Sequence, residues 1–163
     1  MARWHLVGHL QSNKARRAVV LFEVVHSVDS LDLARRLDRL AGEAGRRLPV
    51  YVQVNVDVDP AKSGFRPDEL SGALPALLDL PALEPLGLMT VGVLVDDPER
   101  ARPTFRSLHD LSRGLRARDP RLGAGLSMGM SDDFEVAVEE GSTCVRVGRA
   151  IFGERQGLGA AVP

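Results

Sequence analysis

Short apolar runs alternate with helical stripes along the whole chain. Trp4–Gly8 reads as a short strand, and a helix over Lys14–Leu21 follows, which Ser12 or Asn13 can cap. Phe22–Val28 is a second apolar run. After it, Asp29 or Ser30 caps a helix whose stripe is Leu33, Ala34, Leu37, Leu40 and Ala41, with Arg35, Arg36, Asp38 and Arg39 turned away. Val50–Val56 is rich in β-formers, and Pro60–Gly64 is a polar loop. A helix starts near Pro67 and buries Leu70, Ala73, Leu74, Leu77 and Leu78, with Pro75 expected to kink or split it. Leu86–Val95 reads as a strand. Asp97-Pro98 opens a long helix with Ala101, Phe105, Leu108, Leu111 and Leu115 on one face. Leu126–Met128 is short and apolar, Ser131 can cap a helix over Asp132–Glu140 that Gly141 ends, and Thr143–Val147 is the last strand.

That is about six βα units without a hairpin signal, which argues for a parallel sheet covered by helices. The strands are continuous apolar runs, as strands buried on both faces should be. A doubly wound open sheet and a piece of a barrel both fit the alternation. Two glycine-bearing turns help to choose between them: Ser127-Met128-Gly129-Met130-Ser131 and Arg146-Val147-Gly148-Arg149-Ala150. Neither has the dinucleotide or Walker pattern. They follow the last two strands, and that is where (β/α)₈ barrels commonly hold a phosphate.

Composition narrows the classes. A net charge of -1 gives no global pull toward nucleic acid or an acidic membrane. No apolar stretch reaches the roughly 18–20 residues of a membrane span, and the N-terminus has no signal-peptide core, so the expected compartment is the cytoplasm. The single cysteine, Cys144, excludes an intrachain disulfide and reads as a buried small hydrophobe. Of the 21 basic residues only Lys14 and Lys62 are lysines, so lysine chemistry has two candidates.

The segments Trp4–Lys14, His26–Ser30, Gln53-Val54-Asn55, Lys62-Ser63-Gly64, Gly87–Thr90, Leu126–Ser131 with Asp133-Phe134, Gly141–Gly148 and Ile151-Phe152-Gly153 run in one order. Together they resemble the pyridoxal phosphate homeostasis protein family. The resemblance implies an α/β fold, a (β/α)₈ TIM-type barrel of the alanine racemase-like kind. It is expected to be incomplete here, comprising about strands three to eight in a partial barrel domain over 1–155 with a frayed tail over 156–163. It implies pyridoxal 5'-phosphate as cofactor. Ser127 and Ser131 would bind the phosphate, with Gly148 and Arg149 contributing backbone N–H groups. Arg146 would face the pyridine nitrogen and keep it unprotonated. Met89 and Val7 would lie at strand ends near the barrel mouth.

The resemblance implies a non-catalytic carrier and regulator, concerned with amino-acid and keto-acid balance, with no catalytic residue and no metal ligand. The alternative is a fragment of a pyridoxal phosphate-dependent racemase-like enzyme. Two departures stand out. Arg149 occupies a position where the family usually has Ser or Thr. The family's Schiff-base lysine lies upstream of the Trp-His segment, and here Trp4 is nearly first, so neither Lys14 nor Lys62 matches it. The expectation is a misplaced start, a split gene or a fragment, with a naturally shortened paralogue as the alternative. The full-length form is expected to be a monomer, and this chain to be open to dimerisation through its exposed barrel edges.

The remaining polar residues have plainer readings. His5 and His9 flank a strand end and do not suggest a metal pair. His26 lines the mouth or bonds backbone. His109 faces solvent. Asp132 and Asp133 are helix-surface charges suited to the macrodipole, and Asp57 and Asp59 belong to a Pro-containing turn.

Overall fold

The computed structural model describes residues 2–92 and 95–153. Six strands are present: β1 (His5–Leu6), β2 (Val24–Val28), β3 (Leu48–Gln53), β4 (Leu83–Met89), β5 (Gly125–Met130) and β6 (Cys144–Arg146). The helices between and after them are α1 (Ala15–Leu21), α2 (Leu31–Glu43), α3 (Pro67–Leu78), α4 (Arg102–Arg118), α5 (Phe134–Glu139) and α6 (Arg149–Phe152). The strands lie in chain order, and every neighbouring pair is parallel. Strand followed by helix is what the alternating pattern requires, because each parallel return needs a crossover.

The sheet curls. His26 on β2 bonds Ser127 on β5 at 2.9 Å. Strands three places apart in a flat sheet would be about 14 Å apart. The curl creates two cores. The larger lies between the outer face of the sheet and the helices, and includes Val25, Leu37, Val50, Val52, Leu70, Leu77, Leu88, Phe105, Leu108 and Met128. The smaller faces inward: Val24, Tyr51 and Met89. Alternation along β3 separates the two sets, with Val50 and Val52 outward and Tyr51 inward. The result is an α/β half-barrel of the alanine racemase-like kind with β1 and β6 at its two ends.

Local chemistry explains most boundaries. Ser30 caps α2, its hydroxyl accepting from Leu33 N at 3.3 Å. All five residues of the expected α2 stripe are buried. Asp97 accepts from Glu99 N at 3.0 Å, but the turn it caps is 3-10 before α4 begins. Ser12 and Asn13 do not cap α1; they form a 3-10 turn leading into it. Pro75 neither splits nor ends α3. It sits in the last turn, where Asp79 N still bonds Pro75 O at 3.0 Å and the missing proline N–H costs one bond near a terminus.

The strand expected over Val50–Val56 stops at Gln53. There the side chain of Asn55 takes over, accepting from Asp59 N and donating to the carbonyls of Asp59 and Lys62. β4 begins before the expected Leu86. It ends at Met89, short of the expected Val95; Val93 and Leu94 lie outside the described residues, as do the last two residues of the expected 1–155 domain and the tail 156–163.

Cys144 differs from expectation. It is partly exposed, because β6 ends the sheet and turns this residue toward the barrel interior. At the other end, the carbonyl of Trp4 accepts from Glu23 N at 2.9 Å, and the Trp4 side chain is 65% exposed. Among the described residues, no helix is long and apolar enough to cross a membrane.

Candidate functional site

The carboxyl ends of the strands carry the polar chemistry. Near the end of β5 the backbone turns at Gly129, which has φ +93°. A Cβ built there would stand 2.5 Å from Ala137 Cβ, so this turn and α5 approach closer than a side chain allows. Asp133, read from sequence as a surface charge, is buried. Its carboxylate accepts from Met130 N at 2.6 Å and fixes the turn before α5. Ser131 is therefore not the helix cap. Its hydroxyl reaches across to the next loop and accepts from Gly148 N at 3.3 Å and Ala150 N at 3.2 Å. Two backbone donors from the loop after β6 thus converge on one oxygen. Beside them, Arg149 is paired with Asp132. These residues line one cavity of about 550 Å³ together with Met130, Arg146 and Phe152.

The expected phosphate residues divide here. Ser131, Gly148 and Arg149 come together. Ser127 does not line this cavity: it is fully buried on β5, and its hydroxyl is already used. Its neighbour on β6 is Arg146, whose guanidinium donates to Ser127 O at 2.8 Å, Ser127 Oγ at 3.0 Å and Thr90 O at 2.8 Å. Arg146 also lines a second cavity of about 420 Å³ with His5, Val7, His26 and Cys144. Val7, just after β1, is 38% exposed and lines this cavity. Met89 is at a strand end but fully buried behind it.

A line of hydrogen bonds crosses the interior from Arg146. A guanidinium only donates, so Ser127 Oγ accepts. His26 Nδ1 lies 2.9 Å from Ser127 Oγ, and His26 Nε2 lies 2.9 Å from His5 Nδ1, so neutral rings let each contact share one proton. His26 stacks on Tyr51, ring centroids 4.5 Å apart. Sequence reasoning placed His26 at the mouth or on backbone; its ring lines the inner cavity with Val7 and bonds the side chains of Ser127 and His5. Burial pushes its pKa down to about 4, with the fields of His5 and Arg146 adding to the effect. Burial lowers His5 as well, helped by Arg3 and opposed by Glu23. Burial lowers Arg146 and raises the Tyr51 phenol.

The sign of the pH effect follows. Unfolded, His26 binds a proton near the ordinary histidine value of 6.5; folded, only at about 4. Its stabilising neutral state is intact above 6.5 and is lost as pH falls through 4. The full loss is about 3 kcal/mol. Urea midpoints followed from pH 7.5 to 4.5 should fall more steeply for the wild type than for His26→Gln. Equal slopes would remove His26 as the cause.

The other expected site residues have ordinary partners. His9 pairs with Asp29 at 3.2 Å, and among the described residues no cluster of three His, Cys, Asp or Glu could hold a metal. Lys62 bonds Val91 O at 3.2 Å and lies near Asp57 and Asp59. Asp132, Thr90 and Tyr51 were missed. Arg149, standing where the resemblance leads one to expect a hydroxyl, was the available signal for Asp132: a new cation beside a carboxylate-bearing turn tends to find a partner.

Comparison with known proteins agrees with this geometry. The family described as alanine racemase, N-terminal domain, matches residues 1–156. A protein of Aquifex aeolicus named pyridoxal phosphate homeostasis protein is 39% identical over 153 residues, covering 94% of this chain and 67% of its own length. A protein of the same name from Synechocystis is 40% identical over 152 residues, covering 93% and 70%. The solved structure of PipY from Synechococcus elongatus with PLP bound superposes with a TM-score of 0.86 at 43% identity, over 93% of this chain and 70% of that one. The chain thus spans about two thirds of the length of these relatives. On the strength of the fold, the paired loops and these likenesses, the chain belongs to the pyridoxal phosphate homeostasis protein family.

Proposed function

We propose that this chain holds pyridoxal 5'-phosphate by its phosphate group and takes part in homeostasis of that cofactor without catalysing a reaction. The observation that carries the reading is the convergence of Gly148 N and Ala150 N on a single oxygen, in a cavity walled by Arg149 and Arg146. Donors so aimed suit a phosphate oxygen in place of the Ser131 hydroxyl, and the cations supply the charge. Ser131 would then turn its own proton toward the ligand.

The bound cofactor supplies an electrophilic aldehyde and a ring that can delocalise electrons. Arg146 faces that ring's nitrogen. A guanidinium donates a hydrogen bond but does not give up its proton, so the nitrogen stays uncharged and the ring is a weak electron sink. Ser127, Thr90 and the histidine line hold Arg146 in place. The racemase-like alternative needs an exposed acid/base, and the single tyrosine, Tyr51, is 8% exposed and stacked on His26. Relatives named for homeostasis and a PLP-bound neighbour favour the holding role. The lysine that would fix the aldehyde is neither Lys14 nor Lys62 in this reading. The working form is read as cytoplasmic and, at full length, monomeric.

Titration of this chain with pyridoxal phosphate and with pyridoxal tests the anchor. The phosphate form should bind at least roughly tenfold more tightly, and Arg149→Ala should erase much of that preference. Borohydride treatment should leave Lys14 and Lys62 unmodified by mass spectrometry. Equal affinity for the two forms would refute the phosphate anchor, and a stable adduct on either lysine would refute the lysine assignment.

A further inference from the structure

In the arrangement described, three donors of the proposed phosphate cradle, Gly148 N, Ala150 N and the Arg149 guanidinium, already have oxygen partners, and both partners come from the turn after β5. Ser131 Oγ takes the N–H groups of Gly148 and Ala150. The neighbouring Asp132 carboxylate takes the Arg149 guanidinium. A hydroxyl and a carboxylate on consecutive residues thus imitate the oxygens and the charge of a phosphate. Both ion-pair partners are about half exposed, 48% and 49%, so the pair can open without unpacking the fold.

We propose that Asp132 is a tethered competitor for the phosphate subsite: it holds Arg149 when no ligand is bound and must be displaced when a phosphate group enters. This rests on the phosphate-anchor reading and adds to it a residue that limits affinity and favours release. Mass action makes the consequence definite. A competitor attached to the site lowers apparent affinity by the fraction of time it occupies the cation. Because the pair is exposed and screened, that factor is modest, roughly two- to fivefold. Asp132 carries no role in holding the turn; that belongs to Asp133, bonded to Met130 N. Removing the Asp132 charge should therefore leave the fold and the Gly148 and Ala150 donors in place.

The test is a double-mutant cycle on Asp132→Asn and Arg149→Ala, read by pyridoxal phosphate and inorganic phosphate affinity. Circular dichroism and amide spectra of each variant serve as the folding control. Asp132→Asn should tighten both ligands roughly two- to fivefold in the wild-type background and have no effect in the Arg149→Ala background. Asp132→Glu should stay near wild type. If Asp132→Asn leaves affinity unchanged or weakens it while Arg149→Ala still reduces it, the competitor is overturned and the anchor survives. Tightening that persists without Arg149 would mean simple repulsion, which also overturns the proposal. If no variant distinguishes pyridoxal phosphate from pyridoxal, the anchor itself fails, and the competitor with it.

Discussion

Arg146→Ala lowers pyridoxal phosphate affinity about a hundredfold and destabilises the fold by about 4 kcal/mol. Both effects come from the same guanidinium. In the apo protein it supplies three hydrogen bonds to the ends of β4 and β5: Thr90 O, Ser127 O and Ser127 Oγ. Removing it orphans Thr90 O on a residue 1% exposed, which costs roughly 1–3 kcal/mol, and takes a charge-assisted bond from Ser127 O and Ser127 Oγ, which keep Thr90 N and His26 as partners. The partly open interior lets water recover some of that cost. With the cofactor bound, the same group would face the ring nitrogen in the proposed reading, so a charge-assisted contact would be lost as well. Arg146→Lys separates the two effects. It keeps the charge but cannot span three acceptors with a planar fork, so it should recover part of the affinity and little of the stability. Urea unfolding and ligand titration measure the pair. An affinity within threefold of wild type in Arg146→Ala would show that the ring does not meet this residue.

Gly129→Val should destabilise by about 4 kcal/mol and abolish phosphate discrimination. The backbone there has φ +93°, which a β-branched residue tolerates poorly. The added Cβ would also lie 2.5 Å from Ala137 Cβ and 3.1 Å from Phe134 Cα, both in α5. Relief requires α5 to move off β5. That breaks the bond from Met130 N to Asp133, and with it the position of Ser131. Gly129→Ala meets the same contact with less bulk and should fall between. A variant that unfolds near the wild-type midpoint would show that this turn has room the geometry denies.

The order of elements was legible because continuous apolar runs and period-3.6 stripes change over cleanly, as at Val28, where β2 ends, and Leu31, where α2 starts. The α2 stripe was readable residue by residue because a helix buries what its spacing aligns. Strand ends were harder. Nothing in Val54-Asn55-Val56 signals that the Asn55 side chain will replace ladder bonds with bonds to its own loop. The paired loops were visible as glycine-bearing turns. What Ser131 does was not, because its partners, Gly148 and Ala150, arrive from another loop. Ser127 shows the same limit from the other side. A serine in a phosphate-loop pattern looks like a ligand, and only the curl of the sheet brings His26 and Arg146 to it first. Cys144 looked buried because its neighbours are apolar; that β6 ends the sheet is a property of the topology, not of the local residues.

The lone tryptophan of the chain stands in water at the margin of β1. At 65% exposure its emission should be close to that of a hydrated indole, so denaturant should change it little, and unfolding is better followed by far-ultraviolet dichroism. The same position makes it a quiet optical gauge of that margin: a blue shift would report something settling against the first strand while the histidine line and the phosphate loops stay as they are.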